Sequence, residues 1–164
     1  MSCSSHPNEI EKVYGERDNI TRIFTGISVM RSRGQNIILF YTHKDKKINK
    51  YFFEDINDQY VFTNDSIEYT PDVLQLTGTK GSEQYKQELT STIKTVLSKM
   101  DELNIRDIKS DLSDVGIDFQ IYLKESKGII LYVSNPQRIS SFYWTKYIKS
   151  MQKIDEQWRY TLTE

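Results

Sequence analysis

Four aspartates, Asp107, Asp111, Asp114 and Asp118, follow one another at intervals of three or four residues. Clustered carboxylates are what a hard cation needs, and Asp111-x-Ser113-x-Val115-Gly116 resembles the opening of a calcium loop. The pattern fails at its fifth position, where Val115 offers no side-chain oxygen, and no Glu stands at the twelfth. The run therefore reads as a solvated acidic loop, and no metal site is assigned. His6 and His43 stand alone, without a second His at i+3 or i+4 to make a metal-binding helix face. His43 reads as a surface residue ending a strand. Cys3 lies too near the terminus to pair with it as an activated nucleophile. Gly78-Thr79-Lys80-Gly81-Ser82 has the flavour of a phosphate cradle but lacks the glycine spacing of a Walker loop, so it reads as a flexible lead into a helix cap. No cofactor is expected.

Two surfaces offer binding rather than catalysis. Lys44, Lys46, Lys47 and Lys50 surround one turn, with Tyr41 and Tyr51 beside it. Such a group could touch an anionic partner, or nucleic acid by charge and stacking. A solvated hairpin tip that discourages edge-to-edge pairing is the preferred reading, and nucleic acid is not expected as a partner. The second surface is Phe142-Tyr143-Trp144, where three consecutive helical residues cannot all face one way. With Phe142 and Tyr143 inward beside Ile139 and Tyr147, Trp144 is pushed to the flank, where an exposed Trp makes an interface anchor. The alternative packs Trp144 under a loop or against the last strand. Trp144, Tyr143, Tyr41, Lys46 and Lys47 are the candidate contacts to a partner protein.

The one cysteine excludes an intrachain disulfide. Its setting, Met1-Ser2-Cys3-Ser4-Ser5, has a small residue before the thiol and serines after it. That resembles the processing site and tether of a bacterial lipoprotein, with Cys3 as the lipid-attachment residue. The charged and apolar leader such a site follows is not in the sequence. The alternative is an exposed N-terminal thiol without a role.

The elements that must position these residues are read from periodicity. Pro7 suits the first turn of a short helix with Ile10, Val13 and Tyr14 at helical spacing and Gly15 as its stop, and Asp18 is placed to cap a second with Ile20, Ile23 and Phe24. Residues 37–43 and 48–54 form a hairpin rich in β-branched and aromatic types. Short strands are expected at 59–63, 66–70 and 73–77, separated by Asn64-Asp65 and Pro71-Asp72. Residues 82–103 are the clearest amphipathic helix, with Tyr85, Leu89, Ile93, Val96, Leu97, Met100 and Leu103 on one stripe. Residues 117–123 alternate as a half-buried strand, 129–134 return, 137–152 form a helix, and 157–163 end the chain as a strand. Hairpins rather than βαβ units imply an α+β fold: a meandering antiparallel β-sheet with one long and one or two shorter helices packed on one face.

Composition bounds the rest. The chain has 164 residues, no alanine, 19 isoleucines and 20 aromatics. It reads as a tether over residues 1–6 followed by one α+β domain over 7–164. Its 22 basic and 23 acidic residues nearly cancel, so it lacks the basic excess of a nucleic-acid binder. No apolar run approaches the ~20 residues of a spanning helix, so a membrane is reached only through a lipid anchor.

The last third, from the strand at Ile117 to Lys153-Ile154-Asp155-Glu156-Gln157-Trp158-Arg159-Tyr160, resembles the ending of small secreted lipoproteins and immunity-like proteins of Bacteroidetes, although Arg159 interrupts the aromatic run. The resemblance implies a non-enzymatic domain of the cell envelope, periplasmic or at the surface, that binds another protein such as a toxin or an envelope component. A cytoplasmic location is the alternative. So are a small-ligand-binding envelope protein and a small hydrolase using dispersed carboxylates such as Asp111, Asp114 and Glu125.

Overall fold

Where Ile, Val and aromatic residues concentrate, the backbone is extended and pairs into one sheet. The computed structural model describes residues 8–32, 37–44, 47–56, 59–62, 82–112 and 115–162. Among these, nine strands pair antiparallel: β1 (Ile27–Arg31), β2 (Ile37–Lys44), β3 (Lys47–Ile56), β4 (Gln59–Phe62), β5 (Ile105–Leu112), β6 (Ile117–Leu123), β7 (Ile129–Tyr132), β8 (Gln152–Lys153) and β9 (Trp158–Thr161). Their order across the sheet is β4-β3-β2-β1-β5-β6-β7-β9-β8. The helices are α1 (Asn8–Gly15), α2 (Arg17–Phe24), α3 (Ser82–Glu102) and α4 (Phe142–Ser150). The fold is α+β with an antiparallel sheet. The expected strands 66–70 and 73–77 lie outside the described residues, as do Cys3, His6 and Lys46.

One face of the sheet carries the main core. Ile10 and Val13 of α1, Ile20 and Phe24 of α2, and the α3 stripe Ile93, Val96, Leu97 and Met100 pack on Val29, Phe40, Phe53, Ile108, Ile121 and Ile130. Full burial of each such aliphatic or aromatic side chain contributes roughly 1.5–3 kcal/mol. One long helix and two short ones therefore cover this face. The fourth helix does not join them. Ile130 belongs to the main core, while its neighbour Leu131 belongs to a second cluster with Ile148 and Met151. Successive strand residues point to opposite faces, so α4 lies on the other side of the sheet, over β6 and β7.

That placement explains why Gln120, expected on a solvated face, is buried. It also corrects the expected helix over 137–152. Asn135 accepts a hydrogen bond from the Gln137 N–H and starts a single 3₁₀ turn, Pro136–Arg138, and the helix proper begins only after Ser141. Ser141 caps it, with Oγ accepting from the Trp144 N–H at 3.5 Å and its carbonyl accepting from the Thr145 N–H at 3.0 Å. Serines compete well for caps and poorly for helix interiors.

Two strands were not legible as such. Residues 105–112 carry the first half of the acidic run, which is therefore strand and not loop. β1 precedes the expected hairpin and pairs with both β2 and β5. The cap of α2 also differs: the N-cap is Glu16 rather than Asp18, without a side-chain bond.

Candidate functional site

Helix α4 presents an aromatic ridge. Ile148 and Met151 anchor it to the second cluster, with Trp144 and Tyr147 packed against that cluster. Trp144 and Ile148 are one turn apart and share a face. This phase leaves Phe142 84% exposed and Tyr143 69% exposed. The expectation was the reverse, with Phe142 and Tyr143 inward and Trp144 displaced. The late start of the helix and the anchoring of Ile148 decide the matter, because they fix its rotation over the sheet. The rings form one group: Tyr143 stacks on Tyr147 at 6.4 Å and 5°, and Trp144 meets Tyr147 edge-on at 5.8 Å. Burial, with Tyr122 and Tyr143 nearby, pushes the Tyr147 hydroxyl up.

The basic hairpin lies farther along the same side of the sheet. Phe40 is in the main core, so Tyr41 next to it faces the α4 side. Lys50 lies over it, with Nζ 5.7 Å from the Tyr41 ring and 4.8 Å from Phe52. Tyr51, by contrast, is buried in the main core and is not a surface residue. Lys44 and Lys47 close the hairpin as a register pair. Three strand spacings separate β2 from β6, about 14 Å, so Tyr41 and Tyr143 share a side without touching. Between them Arg106 and Lys109 lie over the Tyr122 ring, each at 5.4 Å.

A second feature sits at the end of the sheet, under the last turn of α2. Here Ser110, Phe119, Tyr132 and Trp158 stand opposite one another on four adjacent strands. Phe119 and Tyr132 stack at 5.8 Å, and Tyr132 and Trp158 lie 4.8 Å apart. Thr21 and Thr25 of α2 face this row across a cleft of about 420 Å³. Each threonine donates its proton to a helix carbonyl, Thr21 to Arg17 O and Thr25 to Thr21 O. His43, Asp118, Ser134 and Gly26 complete the wall.

His43 is thus not a stray surface histidine. Its Nε2 lies 2.9 Å from Ser28 Oγ, which also accepts the Ser110 N–H at 2.9 Å. Asp118 Oδ2 accepts the Ser134 N–H at 2.6 Å. Burial, together with Asp118 and Asp155, pushes the Tyr132 hydroxyl up, so it stays a proton donor through neutral pH. Ser110 itself is 1% exposed, and its Oγ has no hydrogen-bond partner among the described residues. Sequence reasoning missed this cluster because Ser28 and Ser110 sit on the two strands it did not recognise.

The dispersed carboxylates do not converge. Glu125 lies beyond Leu123, at the end of β6 that pairs with Ile105. Asp111 lies at the opposite end, roughly 20 Å away along the strands. Asp114 is outside the described residues, and no group of three metal-ligating side chains occurs among the described ones. A groove of about 530 Å³ between α2 and α3 includes Arg22, Lys94 and Lys99. Its Lys99 is engaged by Glu16 and Glu102, each at 2.9 Å; the Glu102 pair lies within α3, and the Glu16 pair ties the start of α2 to α3. Among the described residues, no helix is long and apolar enough to cross a membrane. No protein-family model, curated protein or solved structure matches the chain.

Proposed function

We propose that this chain is a non-catalytic domain of the cell envelope, tethered by lipid at Cys3, that binds another protein through the α4 side of its sheet. Neutralisation of a toxin, as an immunity protein does, is the concrete form of that activity. The observation that carries the reading is the adjacent exposure of Phe142 and Tyr143. Large aromatics left in water on a rigid helix are costly unless covered, and Tyr and Trp dominate binding hot spots. Tyr143 is braced by Tyr147 and Trp144, so little side-chain entropy remains to be lost on binding. Tyr41, with Lys50 over its ring, extends the same side towards the basic hairpin. That gives the surface a positive end suited to an acidic partner.

The tether rests on the Cys3-Ser4-Ser5 sequence. Fractionation of cells expressing the native gene tests it. The protein is expected with the membranes, and Cys3→Ser is expected to release it. Release of neither form, or of both, contradicts the anchor. Capture with the immobilised domain tests the surface. A protein retained by the wild type and lost by Tyr143→Ala supports it, and equal retention contradicts it.

A further inference from the structure

The cleft under α2 has a chemistry of its own. Ser110 is a buried hydroxyl whose oxygen lacks a hydrogen-bond partner among the described residues, and an unsatisfied buried hydroxyl is a standing cost to the fold. Such groups persist where something outside the chain satisfies them. Ser110 lines a cleft whose volume of about 420 Å³ falls in the range of small-molecule sites.

The lining selects the ligand class. Among the described residues it contains no Lys or Arg, and its one full charge is the Asp118 carboxylate. A phosphate or carboxylate ligand would meet repulsion there. What the lining has in number is hydroxyls, from Thr21, Thr25, Ser110, Tyr132 and Ser134. Thr21 and Thr25 have spent their protons on the helix and offer lone pairs. Asp118 has one oxygen bound to the Ser134 N–H, and its other oxygen can accept. Tyr132 donates. The cleft thus offers both acceptors and donors beside an aromatic floor, which is what a ring bearing several hydroxyls requires.

We infer that the cleft binds a neutral polyhydroxylated ligand of monosaccharide size, with Ser110 and Asp118 as its main polar contacts. This does not rest on the protein-binding surface: α4 lies on the opposite face, so variants at either place leave the other readable.

The test is a titration of the ¹⁵N-labelled protein with glucose, galactose, mannose and N-acetylglucosamine, followed by amide shifts. Methylammonium and inorganic phosphate run in parallel. At least one sugar is expected to shift the amides of Thr25, Gly26, Ser110 and Asp118, with a Kd on the order of 1 mM. Ser110→Ala is expected to weaken binding by about tenfold while leaving the unliganded Tm unchanged or raised, because the orphaned hydroxyl is gone. Asp118→Asn keeps an acceptor for the Ser134 N–H and is expected to weaken binding similarly. Shifts with methylammonium or phosphate alone overturn the inference. So does silence to every sugar, or sugar binding indifferent to both variants. A lowered Tm for Ser110→Ala, with binding intact, would make Ser110 a structural residue and overturn it equally.

Discussion

Gly26 joins α2 to β1 with φ +73°, a left-handed conformation that side chains avoid. A Cβ there would lie 2.9 Å from the His43 carbonyl, and the Gly26 carbonyl accepts the His43 N–H at 2.7 Å. Gly26→Ala is therefore expected to destabilise the domain by about 2 kcal/mol, combining the left-handed cost with the contact. Urea unfolding measures it, and a change near zero would contradict the geometry. The α4 aromatics separate in the same way. Trp144 packs on the second cluster, so Trp144→Ala is expected to cost about 2 kcal/mol through lost packing. Phe142→Ser is expected to stay within about 0.5 kcal/mol, as exposed substitutions do. Equal losses in thermal unfolding would refute the assigned orientation. A binding defect in Trp144→Ala would be ambiguous, whereas one in Phe142 or Tyr143 variants would not.

At the scale of elements, what the sequence shows depends on whether one period governs a segment. Helix α3 was legible because its apolar residues keep a 3.6 period over six turns, and Ile93, Val96, Leu97 and Met100 are buried as that period demands. β6 was legible by alternation. β5 was not, because Ile105, Ile108 and Leu112 are spaced as a helix would space them. A register shift between Ile105 and Asp107 restores both isoleucines to one face, so the strand bears a helical signature through its bulge. The α4 segment failed differently. Its residues fit a helix from 137, but capping by Ser141 delays the start and sets the rotation. The aromatic site was thus legible by composition and not by orientation. The cleft was invisible, since it is assembled from α2, Gly26 and the strands β2, β5, β6 and β7, at distances no local pattern reports.

At the scale of the molecule, distant segments are held by carboxylates that prefer to be charged. Asp155 receives the Tyr14 hydroxyl at 2.7 Å and the N–H groups of Gln157 and Trp158, which ties α1 to the approach to β9. Burial pushes its carboxyl up, but those three donors outweigh it and hold it below the ordinary range. Burial likewise opposes Asp101, and Lys124 and Arg31 outweigh it. Glu16 is lowered by hydrogen bonds from Lys99 and then Asn19. A carboxyl lowered by folding contributes stability that is present above its unfolded value, near pH 4, and is lost as pH falls through the folded value. The Tm is therefore expected to hold from neutral pH to about pH 5 and fall below about pH 4. Asp155→Asn is expected to reduce that fall, and a Tm flat from pH 7 to about pH 3 would contradict these pairings.

The absence of alanine takes its meaning at this scale too. The core is filled by Ile and aromatic residues, so aromatic abundance alone marks no function. What distinguishes Phe142 and Tyr143 is that they lie outside that core. The most direct measurement is the dissociation constant of the captured partner for the wild type and for a Phe142→Ser/Tyr143→Ser double variant of unchanged Tm. Loss of two hot-spot anchors is expected to weaken binding by about 30-fold or more. Equal dissociation constants, or no protein enriched over a control surface, would contradict a partner-binding role for this side of the sheet.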